Sequence, residues 1–277
     1  YMLLTNYLPG GDGTYVLHAI ATDYDGNQTD LGSKTIIVDN ANAEKPFGAE
    51  VRLDAGNVDS LNIDLVANGS GRVYVVWEDF IEGASGNDAV RNVYLAASTD
   101  YGASFGAAVR VNQVPTDPNL ADATAPRVAL GSGDRALVVW SDRRDGAGDI
   151  YLNYTDDDGA SFETSDLRLC SDTAGQLDSK FPRIASDSAG NVLVVWQDLR
   201  NAASDIYYNR STDNGTSWGV APTNTEAQLD IAGGLTDAYA PRVAVGSAGY
   251  FHVGWLDFRE GLPFVMVASS ADSGATF

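Results

Sequence analysis

The stretch Thr155-Asp-Asp-Asp-Gly-Ala-Ser-Phe162 is one of four copies of a single pattern, Ser/Thr-x-Asp-x-Gly-x-Ser/Thr-aromatic. The others are Ser98-Thr-Asp-Tyr-Gly-Ala-Ser-Phe105, Ser211-Thr-Asp-Asn-Gly-Thr-Ser-Trp218 and Ser270-Ala-Asp-Ser-Gly-Ala-Thr-Phe277. Their glycines, Gly102, Gly159, Gly215 and Gly274, are 57, 56 and 59 residues apart. A second motif keeps step with these boxes: Trp77-Glu-Asp79, Trp140-Ser-Asp-Arg-Arg144, Trp196-Gln-Asp-Leu-Arg200 and Trp255-Leu-Asp-Phe-Arg259. From Trp to box glycine is 19 residues in the last three copies and 25 in the first, so the first carries a six-residue insertion within 81–92. A repeat of this length decides the architecture before any single element does.

Each repeat reads as four short strands. Pro126-Arg-Val-Ala129 opens the first strand, and the apolar run Ala136-Leu-Val-Val-Trp140 suits a second strand covered on both faces. Asp149-Ile-Tyr-Leu-Asn-Tyr154, rich in β-branched and aromatic residues, is the third. The box follows as a tight turn in which glycine takes positive φ, and residues 167–170 form a fourth strand. Four antiparallel strands per repeat with no helical period between them describe an all-β fold, the blade of a β-propeller.

Composition agrees. Of 277 residues 44% are apolar, enough for a substantial core. The acidic side chains number 38, of which 31 are Asp, against 17 basic ones. Asp favours turns and caps, Glu favours helices, so turns are many and helices few. A net charge of −21 argues against nucleic acid or an anionic membrane surface as partner. No apolar run approaches the roughly 20 residues of a membrane span. One cysteine, Cys170, and two distant histidines, His18 and His252, leave only oxygen-ligated metal chemistry open; no cofactor and no metal site is expected. Asp23-Tyr-Asp-Gly-Asn27 and Asp156-Asp-Asp-Gly159 place oxygens at alternating positions, as calcium loops do, but neither completes an EF-hand pattern, and both read as turns.

The four boxes, in phase with four Trp-x-Asp motifs, resemble the Asp-box (BNR) repeats of the sialidase superfamily over residues 47–277. The resemblance implies a propeller, commonly six-bladed, acting on glycans. Residues 1–43 are similar to the last strands of a bacterial immunoglobulin-like domain: Gly13-Thr-Tyr-Val-Leu-His-Ala-Ile-Ala-Thr-Asp23, then Lys34-Thr-Ile-Ile-Val-Asp39. Residues 44–277 are therefore the propeller, in four repeats at about 47–112, 113–170, 171–224 and 225–277. The chain reads as a fragment of a longer protein with further domains, its four blades forming an open arc of a larger ring. The alternative is a closed four-bladed ring, because Phe47-Gly-Ala-Glu-Val-Arg-Leu53 matches the fourth strand at Phe105-Gly-Ala-Ala-Val-Arg-Val111 and could pair with residues 264–269.

A side chain demanded in every blade usually meets a need every blade has, so Asp100, Gly102, Asp157, Gly159, Asp213, Gly215, Asp272 and Gly274 are expected to pin turns. The family resemblance places these turns opposite the active face. On that other face, Arg127, Arg183 and Arg242 each stand 13 residues before a Trp, with Asp64 in the first repeat's equivalent place, and Arg144, Arg200 and Arg259 follow the Trp-x-Asp turns. Sialidases use an Arg-Ile-Pro motif, an Asp/Glu-x-Arg turn and a nearby Asp to clamp a substrate carboxylate and supply an acid/base. Arg183-Ile-Ala, Asp198-Leu-Arg200 and Asp205 are similar, although Ala replaces the Pro. Arg183 and Arg200, with Arg127, Arg144, Arg242 and Arg259 as their equivalents in the neighbouring repeats, are thus substrate-binding candidates, and Asp205 is an acid/base candidate, with Asp149 its weaker equivalent in the preceding repeat. Clustered guanidiniums can hold a carboxylate, and a nearby carboxyl can protonate a glycosidic oxygen. The opposing reading is that the repeated Arg and Asp pair with each other as buried ions.

The tyrosine nucleophile and its glutamate, which the family needs, are not assignable; Tyr239, Glu82 and Glu260 carry no linking motif. His252 and Cys170 read as packed residues, and the 81–92 insertion as a surface loop. The expectation is a secreted or cell-surface propeller that recognises a glycan or small anionic sugar. It hydrolyses a sialidase-type bond if other blades supply Tyr and Glu; otherwise it is a non-catalytic adhesion or scaffold module.

Overall fold

The computed structural model describes residues 13–22 and 28–38 by their backbone, and residues 50–54, 58–80, 90–113, 122–201, 203–220, 225–230, 236–246 and 249–277 in full. The chain divides into two units, Tyr1–Val51 and Arg52–Phe277. In the first, β1 (Gly13–Thr22) and β2 (Gln28–Val38) form an antiparallel hairpin bulged between His18 and Ile20.

The second unit is four antiparallel sheets in chain order, the blades of a β-propeller arranged as an open arc. Blade one holds β3 (Ser60–Ala67), β4 (Val73–Phe80), β5 (Arg91–Ser98) and β6 (Val109–Arg110). Blade two holds β7 (Ala123–Leu130), β8 (Ala136–Asp142), β9 (Asp149–Thr155) and β10 (Leu167–Arg168). Blade three holds β11 (Ser179–Ser186), β12 (Val192–Asp198), β13 (Asp205–Ser211) and β14 (Ala227–Gln228). Blade four has β15 (Ala238–Val245), β16 (Phe251–Asp257) and β17 (Phe264–Ser270). The fourth strands are only two residues long, shorter than the four expected at 167–170.

Apolar cores fill the joints between blades. Val76, Val93 and Leu95 of blade one meet Val138, Trp140 and Tyr151 of blade two. Leu137, Val139 and Ile150 of blade two meet Val194, Trp196 and Tyr207 of blade three. Leu193, Ile206 and Tyr208 of blade three meet Phe251, Val253 and Trp255 of blade four. Sandwiched between neighbours, β8 and β12 are buried at every residue, which is why their sequences are unbroken apolar runs. In β16 buried and exposed residues alternate instead. Val265 and Val267 of β17 are likewise exposed, at 78% and 66%, where the equivalent Ile206 and Tyr208 are covered by blade four. His252 lies on this open face. It is exposed and bonds Ser269 Oγ through Nδ1 at 2.8 Å, rather than packing in a core.

The ring-closing strand expected at 47–53 falls partly outside the described residues. Residues 50–54 carry no strand, and Leu53 packs against the Trp77 side of blade one. Among the described residues, β17 pairs with β16 alone.

The box turns are built alike in all four blades. The box Asp accepts the backbone N–H and the hydroxyl of the residue four positions on (Ser104, Ser161, Ser217 or Thr276) at 2.5–2.9 Å. The Ser or Thr two positions before donates its hydroxyl to the Asp and accepts the glycine N–H. These bonds hold Asp100, Asp157 and Asp272 down at about 2. The glycine has φ near +80° and follows a second left-handed residue. In blades two to four it also touches the preceding blade: a Cβ on Gly159 would lie 2.7 Å from Leu95 Cδ2, one on Gly215 would overlap Leu137, and one on Gly274 would lie 3.0 Å from Leu193 Cδ1.

Candidate ligand site on the inner strands

The first strands, β3, β7, β11 and β15, line the inside of the arc, and each carries the same irregularity. Their pairing with the second strand shifts register just before Asp64, Arg127, Arg183 and Arg242. Within each shift one non-glycine residue is left-handed: Asn62, Ala125, Phe181 and Ala240, with φ of 52–55°. Such a conformation costs about 1–2 kcal/mol for an L-residue. In three blades Pro126, Pro182 or Pro241 follows, and the next residue is the arginine. Each arginine donates from Nη1 to that proline's carbonyl, at 2.5, 2.7 and 2.9 Å for Arg127, Arg183 and Arg242. The bulge re-aims the side chain, as β-bulges do.

Arg127, Arg183, Arg242 and Asp64 line one cavity of about 420 Å³, with Ile63, Ile184 and Val243 between them. Among the described residues, none of the three arginines has a carboxylate within ion-pair distance. Burial, and then repulsion from Arg127 and Arg242, push the Arg183 guanidinium down to about 10. Arg127 is lowered first by burial and then by Arg242, with Asp64 opposing. Asp64 Oδ2 accepts the backbone N–H of Val128 at 3.1 Å. Three cations facing one carboxylate leave the cavity positive.

Glu78 supports this site and carries no signal in the sequence beyond filling the variable position of Trp-x-Asp. It is fully buried. Its Oε1 accepts from Asn62 at 3.0 Å and Arg91 at 3.2 Å, and its Oε2 accepts the N–H of Ala125 at 2.6 Å. Asn62 and Ala125 are the left-handed residues of blades one and two, so one carboxylate ties two bulges together.

The turn arginines sit elsewhere. Arg144 donates its backbone N–H and a guanidinium N–H to Asp142, reaches Asp166 at 2.8 Å, and stacks 4.3 Å over Tyr151. Arg200 grips both oxygens of Asp198 at 2.8 and 2.7 Å, reaches Glu226 at 2.5 Å and stacks over Tyr207. Arg259 grips both oxygens of Asp257 at 2.8 and 2.6 Å. Asp149 is bound by Arg168 at 2.6 Å and by the N–H of Gly175. In blade three Gln228 stands where Arg168 would be, and among the described residues Asp205 receives only the amide of Asn201, at 2.7 Å. Burial and the neighbouring Asp198 and Asp237 hold the Asp205 carboxyl above its usual range. Neither Asp149 nor Asp205 lines the arginine cavity.

Asp149, Cys170 and Asp172 bring ligand-type atoms within 4.8 Å of one another. The Arg168 guanidinium already spans Asp149 and Asp172, at 2.6 and 2.7 Å, and burial pushes the Cys170 thiol up to about 12, so it stays protonated. A cationic side chain occupies the place a metal would take. Among the described residues no helix is long and apolar enough to cross a membrane.

No protein-family model matches the chain, and no curated protein does. Solved structures share the fold. The Hadza microbial sialidase Hz136 superposes with a TM-score of 0.56 over 78% of this chain at 15% identity. The Penicillium chrysogenum α-L-arabinanase complexed with arabinobiose gives 0.54 over 78% at 16% identity. The GH93 α-L-arabinofuranosidase of Fusarium graminearum with arabinobiose gives 0.53 over 79%, also at 16%. The match spans 45% of the sialidase chain and 64% of each of the other two. These neighbours are propeller glycoside hydrolases, and the likeness is one of fold.

Proposed function

We propose that this protein is a glycan-recognising propeller whose inner cavity binds an anionic sugar, with the sugar carboxylate lying among Arg127, Arg183 and Arg242. The observation that carries this is three guanidiniums turned by matching bulges into one cavity, with no ion-pair partner of their own among the described residues. Guanidinium groups favour planar carboxylates through paired N–H bonds. Arg144, Arg200 and Arg259 act in this reading as braces for the Trp-x-Asp turns. The box motifs fit the Asp-box repeat of the sialidase superfamily, and the β1–β2 hairpin fits the end of an immunoglobulin-like module, a pairing suited to a secreted or surface protein of larger extent.

A second reading adds sialidase-type hydrolysis, with Asp205 as acid/base in preference to Asp149, whose carboxylate Arg168 already holds. Neither carboxylate lines the cavity, which favours recognition over hydrolysis. Calorimetric titration with N-acetylneuraminate and with its methyl ester tests the first reading. The free acid should bind, the ester should bind far more weakly, and Arg183→Gln should bind neither; no binding of the acid by a folded sample overturns it. Turnover of a fluorogenic sialoside would establish the second reading.

A further inference from the structure

A separate groove of about 280 Å³ runs between the edge strand of blade two and the box turn of blade three. Its walls are Leu167–Ser171 on one side and Asn209, Thr216–Trp218 and Thr225–Glu226 on the other. Glu226 is 8% exposed, and only 1% in its side chain. Its Oε1 is saturated, accepting from Ser171 N at 2.8 Å, Ser171 Oγ at 2.9 Å and Arg200 Nη1 at 2.5 Å. Its Oε2 is equally buried and has no partner among the described residues. Arg168 carries a donor without a partner among the described residues. Nη1 donates to the carbonyls of Cys170 and Asp172 and Nη2 to Asp149 and Asp172, while the buried Nε–H donates to nothing. Buried polar atoms almost always have partners, and an orphaned one costs about 1–3 kcal/mol. Here the two residues that carry an unsatisfied charged acceptor and an unsatisfied charged donor, Glu226 and Arg168, both line the same groove, with the orphaned atoms buried in its wall. Trp218 stands beside them, half-buried, its indole N–H spent on Gly215 O at 2.9 Å, so what it offers a ligand is its ring.

The chemistry narrows what would fit. A cation would meet Arg168 and Arg200, and an anion would meet Glu226 beside Asp149 and Asp172. A neutral group that both donates and accepts, carried on an apolar ring face, satisfies all three features. Sugar hydroxyls do the first, and the C–H face of a sugar ring against Trp218 does the second. We infer that this groove is a second saccharide site, one for a neutral sugar residue, distinct in charge from the arginine cavity on the inner strands.

The test uses the full chain and three neutral probes, L-arabinose, D-galactose and N-acetyl-D-glucosamine, each titrated while the indole N–H resonance of Trp218 is followed by NMR. That resonance is assigned by its absence in Trp218→Phe. At least one probe should shift the peak saturably. Glu226→Gln should weaken that probe by about tenfold or more, as expected for losing a hydrogen bond to a charged group. Leu167→Arg, at the 41% exposed lip and outside every ion pair, should block it while leaving the melting temperature unchanged. Arg183→Gln should leave it intact, which separates this site from the inner cavity. The inference is overturned if no probe shifts the peak, if both Glu226→Gln and Leu167→Arg bind as wild type does, or if Arg183→Gln abolishes the response.

Discussion

Trp196 donates its indole N–H to Asp198 at 3.0 Å, and the same carboxylate takes the backbone N–H and the guanidinium of Arg200, two residues on. Trp140 with Asp142 and Trp255 with Asp257 repeat the arrangement. A buried carboxylate is tolerable because each oxygen is bonded, so Asp198→Asn, which removes the charge Arg200 leans on, should destabilise by about 3 kcal/mol in denaturant melts. Blade one differs: the Trp77 indole N–H has no partner, and Asp79 accepts from Ser60 Oγ at 2.5 Å. Asp79→Asn should therefore cost less than about 1.5 kcal/mol, within the range of a single hydrogen bond.

Gly102 and Gly215 have the same φ, +81°, in different surroundings. A Cβ on Gly102 finds only Val73, at 4.0 Å, whereas one on Gly215 overlaps Leu137 of the preceding blade. Gly102→Ala should cost about 1–2 kcal/mol, the strain of left-handed alanine. Gly215→Ala should cost a further ~1–3 kcal/mol from overpacking. Equal losses by thermal melting would show that the box glycine serves the turn alone.

Because Arg127, Arg183 and Arg242 repel one another, Arg183→Gln should raise stability by about 1 kcal/mol while removing anionic-sugar binding. Arg200→Gln should do the reverse to stability, since it strands Asp198 and Glu226. Parallel calorimetry and denaturant melts of the two variants distinguish a binding arginine from a bracing one.

Asp230 accepts the N–H of Ile206 at 3.0 Å, and burial, followed by the charge of Asp205, pushes it up to about 6. A carboxyl raised in the folded state is protonated more readily there than in the unfolded chain. Its ionisation therefore subtracts stability as pH rises from about 4 to about 6. Asp230→Asn keeps the acceptor oxygen and carries no charge. Its melting temperature should match wild type near pH 4 and exceed it progressively up to pH 7, with a constant difference above that. A difference independent of pH would refute the assignment.

The blade count and the strand spans were legible in one sequence because boxes and Trp-x-Asp motifs recur in fixed register and the covered strands are unbroken apolar runs. Arg127, Arg183 and Arg242 were legible as equivalents by their common distance from Trp. Their convergence was not, since it depends on left-handed Ala125, Phe181 and Ala240, residues that do not advertise positive φ. Nor does spacing reveal that Arg144, Arg200 and Arg259 fold back on the Asp two positions before them. Glu78 hides at a variable motif position. His252 aligns with the buried Tyr74, Leu137 and Leu193, and only the uncovered face of blade four makes it solvent-exposed.

The contact of Gly159, Gly215 and Gly274 with the blade before each has a further consequence. Blades two, three and four each rest a turn on their predecessor, so stability passes from neighbour to neighbour along the arc. Among the described residues blade four packs against blade three alone, and its amides should exchange with solvent ahead of those of β8 and β12, which are clamped from both sides. Within the described arc the outer blades open before the middle ones, so the arginine cavity gives up Arg242 before it gives up Arg127 or Arg183.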